Sequence, residues 1–429
     1  MNCFWTGLLL ALLFVPVFGQ MADSERKRNR EILLSIQEQV VKSYFDKDFR
    51  GVDFESKFRV ADEKVRTAPN NSEAFFAIAD FLASLNDSHT RFVPPPRQDS
   101  YNHGWLPQMV GEKCLVVGVM KGSNAEKQGL RAGDRIVEIE GVYPTRAEFD
   151  RIIYILYALD PRPDFTLVVE NPAGERRTIR VEAKQSKGQV VLNLDDYNTY
   201  MNLLRQSQNL ARMMAHRVVE VGDVTIWKMP RFDLAIHQVD DLISKVKNKS
   251  SLILDLRGNG GGNEDTLLRL LGRVFDEDVK IGELIRRTET KPLSAKSVGD
   301  GAFMGKLVVL IDSESGSASE VFARVVQLRK RGTVIGDRSS GKVMRSIYYP
   351  KKIGFDRLIV YGVNVTDADL IMADGSRIER NGVIPDKLML PTPMDLRENH
   401  DPVLAHALSL VGAEITPQKA GTLFPFIWK

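Results

Sequence analysis

The stretch that decides the fold reads SLILDLRGNGGG and covers residues 251–262, where an apolar segment runs directly into a loop with four glycines. Its first six residues predict a buried strand, because continuous apolar runs are typical of strands that are covered on both faces. Clustered glycines let the backbone approach a ligand closely and turn several N–H groups in one direction. A helical pattern follows at 267–275. This order predicts an α/β core with a ligand-binding loop at the end of a strand.

The glycine loop does not match the common nucleotide-binding motifs. Gly258-x-Gly260 is followed by Asn263 where a dinucleotide fingerprint requires its third glycine. The loop also lacks the Gly-Lys-Ser/Thr ending of a phosphate-binding loop. A simple turn without chemistry is the alternative, so a functional interpretation needs support from other motifs.

A second loop reads SGSASE at residues 315–320, between a strand predicted at 307–311 and a helix that runs through Val325. A serine at a helix N-terminus lies beside the positive end of the helix dipole, which stabilises an oxyanion that forms there. Serine is also an ordinary helix cap, so the residue type alone does not decide its role. A third strand, predicted at 333–335, leads into GDRSSGK, whose Lys342 lies 25 residues beyond Ser317.

The composition excludes several classes of protein. The 429 residues include 59 Lys and Arg against 56 Asp and Glu, and this formal charge of +3 argues against a nucleic-acid partner. The 43% apolar and 27% charged residues are those of an ordinary globular protein. The two cysteines, Cys3 and Cys114, cannot form a disulfide scaffold or a cysteine-based zinc site, and the histidines show no metal-ligand spacing. We therefore expect neither a metal nor a cofactor.

The first twenty residues differ from the rest of the chain. They carry no charged side chain, and Phe4 to Phe18 is an apolar run of fifteen residues, shorter than the roughly 20 that span a membrane. The small residue Gly19 follows, as expected before a signal-peptidase site. We predict a signal peptide at 1–20 and export to the periplasm or the extracellular space. The alternative is an uncleaved segment that tethers the protein to a membrane; once the signal is removed we expect no membrane span.

The two loops together resemble those of the carboxy-terminal processing, or tail-specific, serine proteases. The shared features are the DLRxNxGG loop at 255–262, the SASE loop at 317–320 and the Gly-Lys pair that ends at Lys342. This resemblance covers about three quarters of the chain. It implies that Ser317 is the nucleophile and that the backbone N–H groups of Gly261 and Ala318 form the oxyanion hole.

The resemblance leaves two residues open as the general base. In the lysine-dependent branch of the family the base corresponds to Lys342, whose amine would lose its proton through burial. The segments NDSHT at 86–90 and IERNGVIPD at 378–386 resemble the tricorn core protease branch. That likeness implies His89 as the base and Glu379 as a member of the catalytic group. An imidazole titrates near neutral pH and needs less adjustment of its pKa than an amine.

Residues 100–187 resemble a PDZ domain of the kind found in bacterial proteases, most clearly in GLRAGDRIVEIEG at 129–141. Such domains bind the C-terminal carboxylate of a peptide through backbone N–H groups, and the peptide adds as a strand. The resemblance implies that Gly104, Trp105 and Leu106 form this loop. Pro107 follows and removes one donor, so a purely structural domain stays open.

From these motifs we predict an exported serine endopeptidase that acts through an acyl-enzyme on polypeptides, either unfolded ones or ones selected by their C-termini. The resemblance implies a ClpP/crotonase-like α/β core of mixed sheet and helices. The predicted order after the signal is a helical N-terminal region (21–99), a PDZ-like domain (100–187), the protease core (188–395) and a C-terminal helix and tail (396–429). A non-catalytic ligand- or peptide-binding module of the same fold is the alternative.

Overall fold

The N-terminal region is helical, as the sequence predicts. The computed structural model describes residues 21–97, 99–187, 215–354, 359–425 and 428, so that the predicted signal and Cys3 lie outside the described residues. Ile32, Ile36 and Val40 recur on one face of the first helix and are fully buried in the core of this region. The elements are α1 (Asp23–Ser43), α2 (Phe54–Thr67), α3 (Asn71–Ala83) and β1 (Arg91–Val93).

The region after Pro96 contains a five-stranded antiparallel sheet in the order β3-β4-β5-β6-β7. β2 and β8 pair as a ribbon where the chain enters and leaves this sheet. The apolar runs at 114–119 and 135–139 form β4 and β5, and two short helices, α4 and α5, lie in the connections between strands. The elements are β2 (Asp99–Asn102), β3 (Trp105–Val110), β4 (Lys113–Val119), α4 (Asn124–Lys127), β5 (Arg135–Ile139), α5 (Phe149–Tyr154), β6 (Asp164–Glu170), β7 (Arg176–Glu182) and β8 (Lys184–Lys187).

The core of the third region is a six-stranded sheet in the order β18-β15-β14-β11-β10-β9. All neighbours in it are parallel except β9 and β10. The predicted strand–loop–helix alternation is confirmed, since a helix follows β10, β11 and β14. The elements are β9 (Arg217–Val221), β10 (Val224–Lys228), α6 (Ile236–Val246), β11 (Ser251–Asp255), α7 (Glu264–Val274), β14 (Lys306–Ile311), α8 (Ala318–Leu328), β15 (Thr333–Gly336) and β18 (Lys387–Leu388).

A second sheet packs beside the first and includes β1 from the N-terminal region. Its long strand β17 pairs with β1, β12 and β16, all antiparallel. Three short helices follow this sheet near the C-terminal end, where one helix and a tail were predicted. No helix among the described residues is both long and apolar enough to cross a membrane. The elements are β12 (Val279–Arg286), β13 (Thr290–Ala295), β16 (Arg345–Ile353), β17 (Ile359–Met372), α9 (Pro393–Arg397), α10 (Pro402–Leu410) and α11 (Pro417–Leu423).

The parallel strands bring three loops to one edge of the core sheet. The strand register places Asp255 beside Leu310, and Ile311 beside Gly336. The loops that follow β11, β14 and β15 therefore leave the sheet side by side, where ligands bind in open α/β sheets. Pairing of β1 with β17 brings the preceding segment 86–90 toward the same place.

Candidate active site

Ser317 lies at a strained point between β14 and α8. Its backbone has φ 53° and ψ −117°, a conformation that is unusual for a residue with a side chain. Its N–H donates to Lys342 O at 2.7 Å and to Glu320 Oε2 at 3.0 Å. These two acceptors hold the turn, and Ser317 lines a cavity of about 580 Å³ at this edge of the sheet.

The carboxylate of Glu320 connects the loop at 315–320 with the loop after β15. Glu320 is fully buried, and burial raises its pKa, while the hydrogen bonds it accepts lower the pKa. Sequence reasoning assigned no role to this residue, although a glutamate three positions after a helix-capping serine is a recognised capping pattern. Its other donors at 2.5–2.8 Å are Ser339 Oγ, Gly341 N and Lys342 N.

Asn259 joins the glycine loop to the nucleophile loop. Its carbonyl oxygen accepts the N–H of Gly316 at 2.9 Å and the hydroxyl of Ser319 at 2.8 Å. Its fully buried side chain donates to Met229 O at 2.8 Å. The two loops are therefore held together by a residue that the sequence motif contains but to which sequence reasoning gave no role.

Gly261 packs directly against Ser317. A Cβ at this position would lie 2.6 Å from Ser317 Cβ and 3.1 Å from Ala318 N, so only glycine fits. Ala318 is the first residue of α8, where the helix dipole is positive. The N–H of Gly261 donates to Asn259 Oδ1 at 2.9 Å. The structure thus brings both predicted oxyanion residues beside Ser317, with one of the two N–H groups already hydrogen bonded.

His89 lines the same cavity as Ser317. Its Nδ1 lies 2.6 Å from Ser88 Oγ, which in turn donates to Glu379 Oε2 at 3.0 Å. Since a carboxylate only accepts, the Ser88 proton goes to Glu379, and Nδ1 carries the proton that it donates to Ser88. This order leaves Nε2 with its lone pair. Sequence reasoning missed Ser88, for which the only signal was its place next to His89.

The protonation state of His89 follows from its surroundings. Burial lowers the pKa of His89 to about 4. The negative charge of Asp87 raises this pKa in part, and the positive charge of Lys342 lowers it. The imidazole is therefore neutral at pH 7. Burial also raises the pKa of Glu379, whereas its hydrogen bonds with Val343 N and Ser88 lower the pKa.

The side chain of Lys342 points away from the Ser317 cavity. Its Nζ lies 2.5 Å from Asp150 Oδ2, and the lysine side chain is 36% exposed. Lys342 lines a second cleft, of about 800 Å³, together with Ser88, Asp150 and Arg380. The structure brings the backbone of Lys342 to Ser317 and its ammonium group to the PDZ-like region.

The Ser317 cavity has apolar walls and a charged rim. Glu264, Asp265 and Arg345 line its polar part. Six buried apolar side chains also line it: Leu267 on α7, Val321 on α8, Leu284 on β12, Leu293 on β13, Val343 in the loop after β15, and Leu370 on β17.

The predicted peptide-binding loop lies at the start of β3, an edge strand. The Gly104 N–H donates to Asn102 Oδ1 at 2.9 Å, and Trp105 is only 4% exposed, whereas Leu106 is half-buried. Farther along β3, the Met109 carbonyl accepts the hydroxyl of Ser313 at 2.5 Å. The edge of the PDZ-like sheet therefore contacts the loop that leads to the nucleophile.

Family models match two parts of the chain. Residues 220–389 match Peptidase family S41, and residues 115–171 match a PDZ domain. Among curated proteins, the chain is 26% identical to the "C-terminal processing peptidase, chloroplastic" of Tetradesmus obliquus, over 83% of this chain and 77% of that protein. It is 25% identical to the "Carboxyl-terminal-processing protease" of Synechocystis sp., over 84% of this chain and 81% of the relative.

Solved structures share this fold. Mature CPAF complexed with lactacystin aligns with a TM-score of 0.65 and 17% identity, over 93% of this chain and 99% of that one. The "photosystem II D1 C-terminal processing protease" aligns with a TM-score of 0.50 and 20% identity, over 85% and 93% of the two chains. At these identities the similarity establishes the fold and does not assign roles to individual residues.

Proposed function

We propose that this chain is an exported serine endopeptidase whose base is His89. The match of residues 220–389 to Peptidase family S41 and of residues 115–171 to a PDZ domain supports this reading. Ser317 is the nucleophile in this proposal. The observation that carries it is that His89 lines the Ser317 cavity and is connected through Ser88 to Glu379. Nucleophile, base and orienting carboxylate are the parts that acyl transfer requires.

In the proposed reaction His89 Nε2 takes the proton of Ser317 Oγ as this oxygen attacks the peptide carbonyl carbon. The resulting imidazolium keeps the hydrogen bond that its Nδ1–H donates to Ser88 Oγ. The Ser88 hydroxyl in turn donates to Glu379. His89 then gives its proton to the leaving amine, and water, activated by the same imidazole, hydrolyses the acyl-enzyme. No further co-reactant is needed for this sequence of steps.

The oxyanion would form at the N-terminus of α8. The Ala318 N–H is the first donor in this proposal, supported by the positive end of the helix dipole. Gly261 would supply the second donor. The Gly261 N–H donates to Asn259 Oδ1 at 2.9 Å in this structure. To serve the oxyanion, it would have to leave this acceptor or donate to both oxygens.

Lys342 supports the active site through its backbone in this proposal. Its carbonyl accepts the Ser317 N–H, and its ammonium group is paired with Asp150. To act as the base, Lys342 would have to leave Asp150 and lose its proton. A neutral imidazole that already lines the cavity needs neither change.

We further propose that the substrates are polypeptides with an apolar side chain at the cleaved position. The apolar walls beside Ser317 support this preference. Selection by C-termini would come from the PDZ domain through Gly104, Trp105 and Leu106. The proposed division remains a helical region (21–99), the PDZ-like domain (100–187), the protease core (188–395) and the C-terminal part (396–429).

The test compares wild type with Ser317→Ala, His89→Ala and Lys342→Ala in casein hydrolysis and in labelling by a fluorophosphonate probe. We expect loss of hydrolysis in the first two variants and its retention in the third. Absence of both hydrolysis and labelling in the wild type would point to the non-catalytic binding module instead, and equal hydrolysis by Ser317→Ala and wild type would exclude Ser317 as the nucleophile. Export is tested by N-terminal sequencing of the mature protein, where a start after residue 20 supports export and an intact residue 1 in a membrane fraction would favour the tethered form.

A further inference from the structure

Asp87 holds the backbone of the segment that carries His89. Its carboxylate is 8% exposed, and one oxygen, Oδ1, accepts three hydrogen bonds. The donors are His89 N at 2.9 Å, Thr90 N at 2.6 Å and Thr366 Oγ1 at 2.9 Å. The first two fix the turn, and the third attaches this turn to β17. The Asp87 side chain thus fixes the backbone position from which the His89 imidazole extends.

The second carboxylate oxygen of Asp87 has a different environment. In the part of the chain that the structure describes, Oδ2 is buried and accepts no hydrogen bond of good geometry, and the same holds for the Tyr44 hydroxyl. Tyr44 lies close to Asp87, since burial first, and then the charge of Asp87 and a hydrogen bond to it, raise the pKa of Tyr44. No Lys, Arg or His among the described residues forms an ion pair with the Asp87 carboxylate. A buried carboxylate without a permanent cation is costly unless a positive charge compensates it.

The residue that gains a positive charge beside Asp87 is His89. We propose that Asp87 is a positioning residue and the electrostatic partner of His89, which holds the base in place and stabilises the imidazolium formed when Ser317 loses its proton. This inference rests on the proposed function. The proton moves from Ser317 Oγ to His89 Nε2, and the negative charge of Asp87 remains in place throughout.

The other charged groups around His89 do not replace Asp87. Glu379 reaches the ring only through Ser88, and its nearest cation is Arg380, 3.9 Å away. Arg380 donates to the backbone carbonyl of Asp87 at 2.9 Å and forms no ion pair with its carboxylate. Lys342 opposes protonation of the imidazole, as burial does, whereas Asp87 favours it.

The test uses the full chain and the variant Asp87→Asn, which keeps the Oδ1 acceptor of the turn and removes the charge. We expect kcat to fall about tenfold at pH 7 with KM unchanged, and the acid limb of the kcat/KM profile to move to lower pH by about one unit. Thr366→Val is the matched control, because it removes one hydrogen bond to Asp87 and leaves the charge. We expect the acid limb of its pH profile to stay where that of wild type lies, whatever loss of kcat the weaker turn causes.

Two results would overturn the role of Asp87 while leaving the proposed function intact. One is wild-type kcat and pH profile in Asp87→Asn. The other is a loss of kcat with an unmoved acid limb and a matching loss of folded protein in thermal denaturation, which indicates a purely structural residue. Full hydrolysis by Ser317→Ala, in contrast, would remove the proposed function itself.

Discussion

Lys342 Nζ lies 2.5 Å from Asp150 Oδ2, so the lysine ammonium bridges the loop beside the nucleophile and helix α5 of the PDZ domain. Both side chains are substantially exposed, and such ion pairs are worth about 0–1 kcal/mol. We therefore predict that Lys342→Gln keeps kcat/KM within about threefold of wild type in cleavage of a fluorogenic peptide. His89→Gln should lose about 10³-fold in the same assay. The reverse order of the two losses would identify the lysine as the base.

The pH dependence of activity should reflect His89. Burial lowers its pKa to about 4, and only the neutral imidazole accepts a proton. Activity should therefore be complete at neutral pH and fall as the pH decreases through about 4, rather than near the usual value of 6.5. Values of kcat/KM, obtained from initial rates of peptide cleavage between pH 3.5 and 8, check this expectation. A midpoint above pH 6, with the protein still folded by circular dichroism, would contradict it.

Glu320→Gln should impair both stability and catalysis. Glutamine has one acceptor oxygen, whereas the two carboxylate oxygens of Glu320 accept from Ser317, Ser339, Gly341 and Lys342. At least two buried donors would lose their acceptor, at a cost of about 2–4 kcal/mol in the free energy of unfolding. Urea denaturation measures this cost, and the rate of fluorophosphonate labelling measures the displacement of Ser317.

Ser340→Ala is the control for Glu320→Gln, because the Ser340 hydroxyl makes only a long contact of 3.4 Å with Glu320. We expect a change in unfolding free energy of less than about 1 kcal/mol. Equal losses in the two variants would mean that the carboxylate does not support the nucleophile in the way described.

The apolar cavity should set the preference for the residue before the cleaved bond. Val321, on α8, lines it and is buried. We predict that Val321→Phe fills the pocket and lowers kcat/KM by about tenfold for a peptide with Leu at that position, since one or two methylenes are worth about 1–3 kcal/mol. The matched peptide with Ala should be cleaved as well as before. Equal losses for both peptides would mean that the substrate side chain binds elsewhere.

The buried pair Arg146–Asp337 should hold the PDZ domain on the core. The guanidinium lies 3.1 Å from Asp337 Oδ2 and donates to Gly111 O at 2.9 Å, and both charged side chains are largely buried. Arg146→Met leaves an uncompensated carboxylate, so the free energy of unfolding should fall by about 3–5 kcal/mol. The double variant Arg146→Met/Asp337→Leu should recover most of this loss. Thermal denaturation that ranks the double variant below the single one would refute the pairing.

Local patterns were enough to predict much of the fold. The apolar run at 251–256 favours a strand, and the glycines after it favour a turn. The structure has β11 and its loop at these positions. The same is true of β14, α8 and β15. These predictions succeed because hydrophobic periodicity and glycine conformations act within a few residues.

By itself the sequence determined the α/β core, the PDZ insertion and a serine at a helix start, since each depends on neighbours in the chain. Only the tertiary structure decided where the lysine ammonium points and what orients the imidazole. Ser88 and Glu379 are 291 residues apart, yet their side chains meet at 3.0 Å. Such contacts depend on how β1 pairs with β17 and how the PDZ domain packs on the core, because long-range pairing rather than local preference brings these charges together.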